Sequence, residues 1–277
     1  MIMKTRPILF LDSGVGGIPY CRHFLKRNNG EEIIYLADRA NFPYGKRSRE
    51  ELILILQSLI EKTIIRFDPK IAVVACNTAT VSTISALRSF FPELPFVGTV
   101  PAVKPAVTES QKGRVGVLGT ARTIEDPYIA ELAAKYGPHC VLHGIAAPEL
   151  VEFIEYRYTL AGEAEKLKMV RSYLDRFRAA GVDAVVLGCT HFLFLLDEFR
   201  REAAPGINIY DSVEGVSRRI ESILDEDGNR LRAVASAGLN AADRANRFLV
   251  TGRTPESSWQ FWADDLGFSL SSFGDQT

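Results

Sequence analysis

No stretch of the 277-residue chain approaches the roughly 18 uncharged apolar residues that a membrane-spanning helix needs. The apolar run near the N-terminus, before Asp12, is also too short for a signal peptide. An excess of one charge is lacking as well. The 33 basic and 34 acidic residues leave a net charge of -1 with histidine neutral, so nothing electrostatic favours nucleic acid or an anionic membrane as the main partner. Cysteine is sparse: Cys21, Cys76, Cys140 and Cys189 are widely scattered without a Cys-x-x-Cys pair, which argues against a zinc ribbon or a thioredoxin-like redox centre. His23, His139 and His143 have no ligand-like spacing and read as structural or surface residues, so no metal site is expected. Neither Gly-x-Gly-x-x-Gly nor a Walker-type Gly-Lys-Ser/Thr is present, which leaves nucleotide binding with little support. The expectation is a cytoplasmic protein with free thiols, no membrane contact and a small-molecule partner.

What the chain does have is a recurrent order of short apolar runs and longer helical patterns. The runs are Pro7 to Asp12, Glu32 to Asp38, Ile71 to Asn77, Phe96 to Val100, Arg114 to Thr120, Cys140 to Ala146, Ala184 to Cys189 and Ile207 to Ser212. Most are continuously apolar rather than alternating, as parallel strands covered on both faces should be. The fold class is therefore α/β, with mainly parallel sheets flanked by helices. Ser48 and Glu51 have capping-box spacing ahead of a helix from Leu52 to Phe67 that Pro69 closes. Leu167, Val170, Leu174 and Phe177 mark another helix that stops at Gly181.

The two halves echo each other. Leu9-Phe-Leu-Asp12-Ser13-Gly14 and Val117-Leu-Gly119-Thr120 each end a strand in a turn with a hydroxyl residue, and each precedes an Ala-Val-Val strand that ends at a cysteine. This weak repeat predicts two similar α/β domains, 1–98 with 210–277 and 99–209, with an active site in the cleft between them beyond the carboxyl ends of the strands. The prolines of Gly98-Thr-Val-Pro101-Ala-Val-Lys-Pro105 mark the first boundary. The charged stretch Asp225 to Arg232 reads as a solvated turn.

The two cysteines carry the chemical argument as a pair. They stand in Ala72-Val-Val-Ala-Cys76-Asn77-Thr78 and Ala184-Val-Val-Leu-Gly-Cys189-Thr190-His191. A thiol at a helix N-terminus is readily ionised, and one thiol on each face of a small substrate is what two-base proton transfer through carbon requires. Taken singly, each reads equally well as a buried small hydrophobe beside a helix cap. Cys189 has the same setting as Cys76, with His191 added as a charge partner. The glycine-rich turn Asp12-Ser13-Gly14-Val-Gly16-Gly17 offers amides to an anion such as a carboxylate. Its Asp12 suits an ammonium group or a proton relay, or serves as an N-cap. In Pro43-Tyr44-Gly45 a turn brings the Gly45 backbone within reach of a ligand.

With these motifs in this order, nearly the whole chain resembles the glutamate racemases, cofactor-independent enzymes that interconvert L- and D-glutamate for bacterial cell-wall synthesis. The resemblance rests on Asp12-Ser-Gly-Val-Gly-Gly17, Pro43-Tyr-Gly45, Ala75-Cys-Asn-Thr-Ala79, Gly119-Thr120 with Thr123, and Gly188-Cys-Thr-His191. It implies that Cys76 takes the α-proton from D-glutamate and Cys189 from L-glutamate, assisted by Asp12 and His191. It implies a substrate-binding set of Asp12, Ser13, Pro43, Tyr44, Gly45, Asn77, Thr78, Thr120, Thr123, Thr190 and His191, with Glu155 near the site. It implies no cofactor, and a homodimer. The chain departs from the family pattern at Ala147-Pro148, where Cys-Pro is common, and at Thr123-Ile-Glu125-Asp126.

Three other readings compete. An aspartate racemase shares this architecture, although relatives acting on aspartate more often resemble Cys-Thr-Glu where this chain has Cys189-Thr-His191. A two-domain amino-acid binding protein explains the glycine-rich turn and leaves the matched cysteines unexplained. A redox pair explains the cysteines alone.

Overall fold

The computed structural model describes residues 6–28, 30–226, 246–252 and 257–274, so Asp225 to Arg232 lies outside them beyond Glu226. The chain forms two compact units, one of residues up to Thr99 together with those from Val213 onward, the other Val100–Ser212. Among the described residues each holds one wholly parallel sheet flanked by helices.

In the first unit the strands are β1 (Ile8–Asp12), β2 (Ile33–Ala37), β3 (Ile71–Val74), β4 (Phe96–Gly98), β9 (Arg247–Thr251) and β10 (Ser269–Phe273), in the spatial order β10-β9-β2-β1-β3-β4. The second unit contains β5 (Arg114–Gly119), β6 (Val141–Ala146), β7 (Ala184–Leu187) and β8 (Asn208–Tyr210), in the order β6-β5-β7-β8. The orders β2-β1-β3-β4 and β6-β5-β7-β8 are the same pattern, so the repeat in the sequence is a repeat in topology. In both, the strand order reverses beside the first strand, and it is there that open parallel sheets bind ligands.

The register repeats too. Leu11 pairs with Val74 and the Ala75 amide donates to the Leu11 carbonyl at 2.7 Å; Leu118 pairs with Leu187 and the Gly188 amide donates to the Leu118 carbonyl at 2.7 Å. Each cysteine is thus the residue immediately after the last bond between equivalent strands.

All eight anticipated strands are present, trimmed by up to three residues at their ends. The trimming removes Cys76 and Cys189 from the strands and places each as the N-cap of the helical segment that follows. β9 and β10 were not anticipated. Leu9, Leu11, Ile34, Leu36, Ala72 and Val74 form one covered face of the first sheet, packed with Leu52, Leu56 and Ile60 of α2 (Arg49–Phe67) and Leu87 of α3 (Asn77–Phe90). Each such wholly buried leucine or isoleucine contributes about 1.5–3 kcal/mol. The other face is aromatic: Phe10 meets Phe24 of α1 (Ile18–Arg27) at 6.0 Å, and Tyr35 meets Phe248 at 4.8 Å. His23 on α1 pairs with Glu214 of α10 (Val213–Glu226) at 3.0 Å, a structural role as expected.

Helix α2 opens on the anticipated capping box. The Glu51 amide donates to Ser48 Oγ at 3.1 Å and the Ser48 amide to Glu51 Oε2 at 2.7 Å. In the second unit, Val115, Val117, Ala184 and Val186 pack against Val103, Ala106 and Val107 of α4 (Val103–Glu109) and Ile129 and Ala133 of α6 (Pro127–Tyr136). Gly181 follows α8 (Glu163–Ala179) with a φ of 70°, the left-handed conformation glycine adopts without strain. The chain then enters β7 past Asp183. Burial alone would raise that carboxyl, but bonds from Ser110 Oγ at 2.6 Å and from the Gln111 and Lys112 amides outweigh it and hold the carboxyl below its usual range.

Among the described residues no helix is long and apolar enough to cross a membrane. No group of three His, Cys, Asp or Glu side chains there is arranged to hold a metal ion.

Candidate functional site

In the first unit the strand ends of β1 and β3 gather Asp12, Ser13, Cys76, Asn77 and Thr78, all of them buried. Asp12 does not cap α1, whose N-cap is Gly17 without a side-chain bond. Its Oδ1 instead accepts the Gly14 amide at 2.7 Å, closing the glycine-rich turn on itself, because the turn inserts five residues between Asp12 and the helix. Tyr35, which sequence reasoning passed over, braces the same turn: its hydroxyl donates to the Gly14 carbonyl at 2.9 Å and accepts the Gly17 amide at 3.1 Å.

Cys76 has extended backbone angles and is the N-cap of the 14-residue α3, so the positive end of that helix dipole faces its surroundings. Thr80 turns back, donating its hydroxyl to the Val74 carbonyl at 3.0 Å, and is a structural residue. Asn77 is buried, yet neither its side-chain oxygen nor its nitrogen finds a partner among the described residues. Buried amides are nearly always satisfied. Asn77 departs from that rule among the described residues.

Tyr44 stands in a 3-10 turn (Tyr44–Lys46) with its hydroxyl donating to Asp38 Oδ2 at 2.8 Å. Burial, the Asp38 carboxylate and the nearby Cys76 and Asp12 push the phenol well above its usual range, so it remains protonated. Asp38 in turn accepts from Asn41 Nδ2 at 3.0 Å and from Thr251 Oγ1 at 2.6 Å. Asp38 and Thr251 were also missed. The Asp-x-x-Asn spacing of residues 38 and 41 was the available signal for Asp38; Thr251 comes from 213 residues away. Pro43 precedes the turn in extended conformation, and a Cβ built on Gly45 meets nothing within 4 Å, so this backbone is open to approach.

The second unit gathers Thr120, Thr123, Glu155, Cys189, Thr190 and His191. Thr120 is the N-cap of α5 (Ala121–Glu125), accepting the Thr123 amide at 3.2 Å, with the two hydroxyls 3.0 Å apart. The departure at Glu125-Asp126 ends this short helix, and Asp126 caps the next one by accepting the Tyr128 amide at 3.0 Å. Ala147 is the buried N-cap of α7 (Pro148–Tyr156), the helix that carries Glu155.

Cys189 does not share the α-helical setting of Cys76. It opens a six-residue 3-10 turn (Thr190–Leu195), whose apolar residues 192–195 are all buried. The charge partner here is a side chain: Cys189 Sγ lies 3.7 Å from His191 Nδ1, and His191 Nε2 lies 2.7 Å from Glu155 Oε1. Burial would lower the imidazole pKa, but its bonds to Cys189 and Glu155 and their charges outweigh burial and raise it well above the usual histidine value. A positive ring in that place stabilises any negative charge that develops on the sulfur beside it.

The other two cysteines behave as small hydrophobes. Cys21 is wholly buried in α1 and burial raises its thiol far above the ordinary value. Cys140 is raised mainly by burial and donates to the Val107 carbonyl at 3.4 Å.

Known proteins resemble the chain along most of its length. A profile of the Asp/Glu/Hydantoin racemase family matches residues 24–218. The glutamate racemase of Sphingopyxis alaskensis is 37% identical over 246 residues, 87% of this chain and 89% of that protein. The glutamate racemase of Treponema pallidum is 39% identical over 210 residues, 76% of this chain and 78% of that protein. Among solved structures, Escherichia coli glutamate racemase in complex with L-glutamate and the activator UDP-MurNAc-ala matches with a TM-score of 0.79 at 30% identity, covering 96% of this chain and 97% of that one. With its repeated parallel sheets and matched cysteine turns, the chain belongs to the Asp/Glu/Hydantoin racemase family and is an isomerase.

Proposed function

We propose that the protein interconverts L- and D-glutamate without a cofactor, with Cys76 and Cys189 as the two bases. The observation that carries this reading is the equivalence of the two cysteines: each follows the last inter-strand bond of the same topological position, at 2.7 Å in both units. The glutamate racemases it resembles supply the substrate.

In one direction Cys189 thiolate removes the α-proton of L-glutamate, the electron pair remains on the α-carbon and carboxylate, and the Cys76 thiol delivers a proton to the opposite face, leaving D-glutamate. The reverse reaction exchanges the roles. One sulfur must be ionised while the other holds its proton, so activity falls on both sides of an optimum. Asp12 assists at Cys76. His191, held by Glu155, assists at Cys189. An ionised carboxylate resists a second negative charge at the α-carbon, and donors aimed at it must stabilise that charge. Asn77, Thr78, Thr120, Thr123 and Thr190 take this part, and Asn77 is supported by its unpartnered buried amide. Ser13 and the Pro43-Tyr44-Gly45 turn complete the binding set.

The two enantiomers have equal energy in water, so net flux depends on a reaction that consumes D-glutamate, here peptidoglycan synthesis in the cytoplasm. The working form is a homodimer. Turnover of glutamate against aspartate, without added cofactor, tests the substrate. Cys76→Ala and Cys189→Ala should each abolish racemisation, and intact racemisation in either variant would overturn the mechanism.

A further inference from the structure

Glu155 and His191 are not the only tie between α7 and the 3-10 turn that follows Cys189. Three residues further on in both segments, Tyr158 meets Phe194: the Tyr158 hydroxyl donates to the Phe194 carbonyl at 3.0 Å, and the two rings lie 5.2 Å apart at 58°. The Tyr158 amide donates to the Phe153 carbonyl at 2.9 Å, which fixes Tyr158 to the end of α7. The Lys166 ammonium, from α8, covers its ring at 3.8 Å.

The spacing has a physical consequence. Residues three apart eclipse in a 3-10 turn, so His191 and Phe194 lie above one another. Glu155 and Tyr158, also three apart, meet that pair in step. A 3-10 turn has poorer internal hydrogen bonds than an α-helix, so its shape is set by what holds it from outside. Tyr158 thus adds a second tie between α7 and the turn, one 3-10 repeat beyond the Glu155–His191 bond.

We propose that Tyr158 is a positioning residue for the reaction, holding the turn so that His191 Nδ1 stays at its 3.7 Å separation from Cys189 Sγ. This rests on the reading of Cys189 and His191 as the pair that removes the α-proton of L-glutamate. A misplacement of even 1 Å in such a pair is costly.

Because the equilibrium constant is unity, kcat/KM for the two unlabelled enantiomers stays equal in any variant. The asymmetry appears with α-deuterated substrates. If transfer at Cys189 is impaired, removal of the label from L-glutamate limits the rate more, and removal from D-glutamate, performed by Cys76, limits it less. Tyr158→Phe, which keeps the ring and removes one hydrogen bond, should lower kcat about 3- to 10-fold. It should raise the isotope effect on L-glutamate relative to that on D-glutamate, compared with the wild type. Phe194→Leu, which keeps the carbonyl and removes the ring contact, should shift the ratio in the same sense. His191→Asn provides the reference and should shift it further that way. If His191→Asn shifts the ratio and both Tyr158→Phe and Phe194→Leu leave it at the wild-type value, the positioning role is wrong and the reading of His191 stands. If His191→Asn itself leaves the ratio unchanged, the reading of the Cys189–His191 pair is wrong and the positioning role falls with it.

Discussion

Gly17 packs against Ala75, the residue before Cys76, so closely that a Cβ on Gly17 would stand 2.7 Å from the Ala75 Cβ and 3.3 Å from its carbonyl oxygen. The glycine-rich turn after β1 and the strand end that presents Cys76 are therefore one packed unit, which explains a glycine at a φ of -79° where any residue could sit. Gly17→Ala should destabilise the protein by about 1–3 kcal/mol in urea unfolding, the usual cost of overpacking. It should also lower kcat, because a shift of Ala75 carries Cys76 with it. Unchanged stability and unchanged kcat would show that the turn and the strand end are independent.

Gly45 makes the opposite case. A methyl group there meets no neighbour within 4 Å, so Gly45→Ala should unfold at the wild-type urea concentration. If its backbone receives the substrate, KM for glutamate should rise several-fold while kcat changes less. A variant with wild-type KM would remove Gly45 from the binding set.

The buried His191 predicts a pH dependence of stability. Its folded pKa is raised above the unfolded value near 6.5 by Cys189 and Glu155, against the lowering effect of burial. The folded state therefore holds the proton more tightly, and the stability this provides is fully present below about pH 6.5 and is lost as pH rises through the folded pKa. Thermal unfolding of the wild type should accordingly fall off on the alkaline side, and His191→Asn should flatten that part of the curve. Parallel curves for the two proteins would show that His191 is not the group responsible.

The parts of the fold visible in the sequence were those with buried parallel strands, since segments such as Ile71-Ala-Val-Val74 leave no polar face to obscure them. β10, Ser269-Leu-Ser-Ser-Phe273, was hidden because it lies at the sheet edge and carries three serines. β9 offered only Phe248-Leu-Val250 as a continuous apolar run. The cysteine turns were legible from their matched neighbours, but their local shapes were not: Cys76 starts an α-helix, whereas Cys189 starts a 3-10 turn whose apolar residues are all drawn inward. Tyr35 offered a signal that was overlooked, because a tyrosine within Ile33-Ile-Tyr-Leu-Ala37 must find a partner for its hydroxyl. Thr251 offered none. Its bond to Asp38 exists only because β9 joins the sheet beside β2.

The central claim is that two different thiols serve the two faces of the α-carbon. Early turnover of unlabelled L-glutamate in deuterated water tests it most directly. Two bases predict that the D-glutamate first formed carries a solvent deuteron at the α-carbon while the remaining L-glutamate is still protiated, with the same pattern from D-glutamate. Protium retained in the product, or deuterium entering substrate and product equally from the first turnovers, would mean that a single base serves both faces and would contradict the assignment of Cys76 and Cys189.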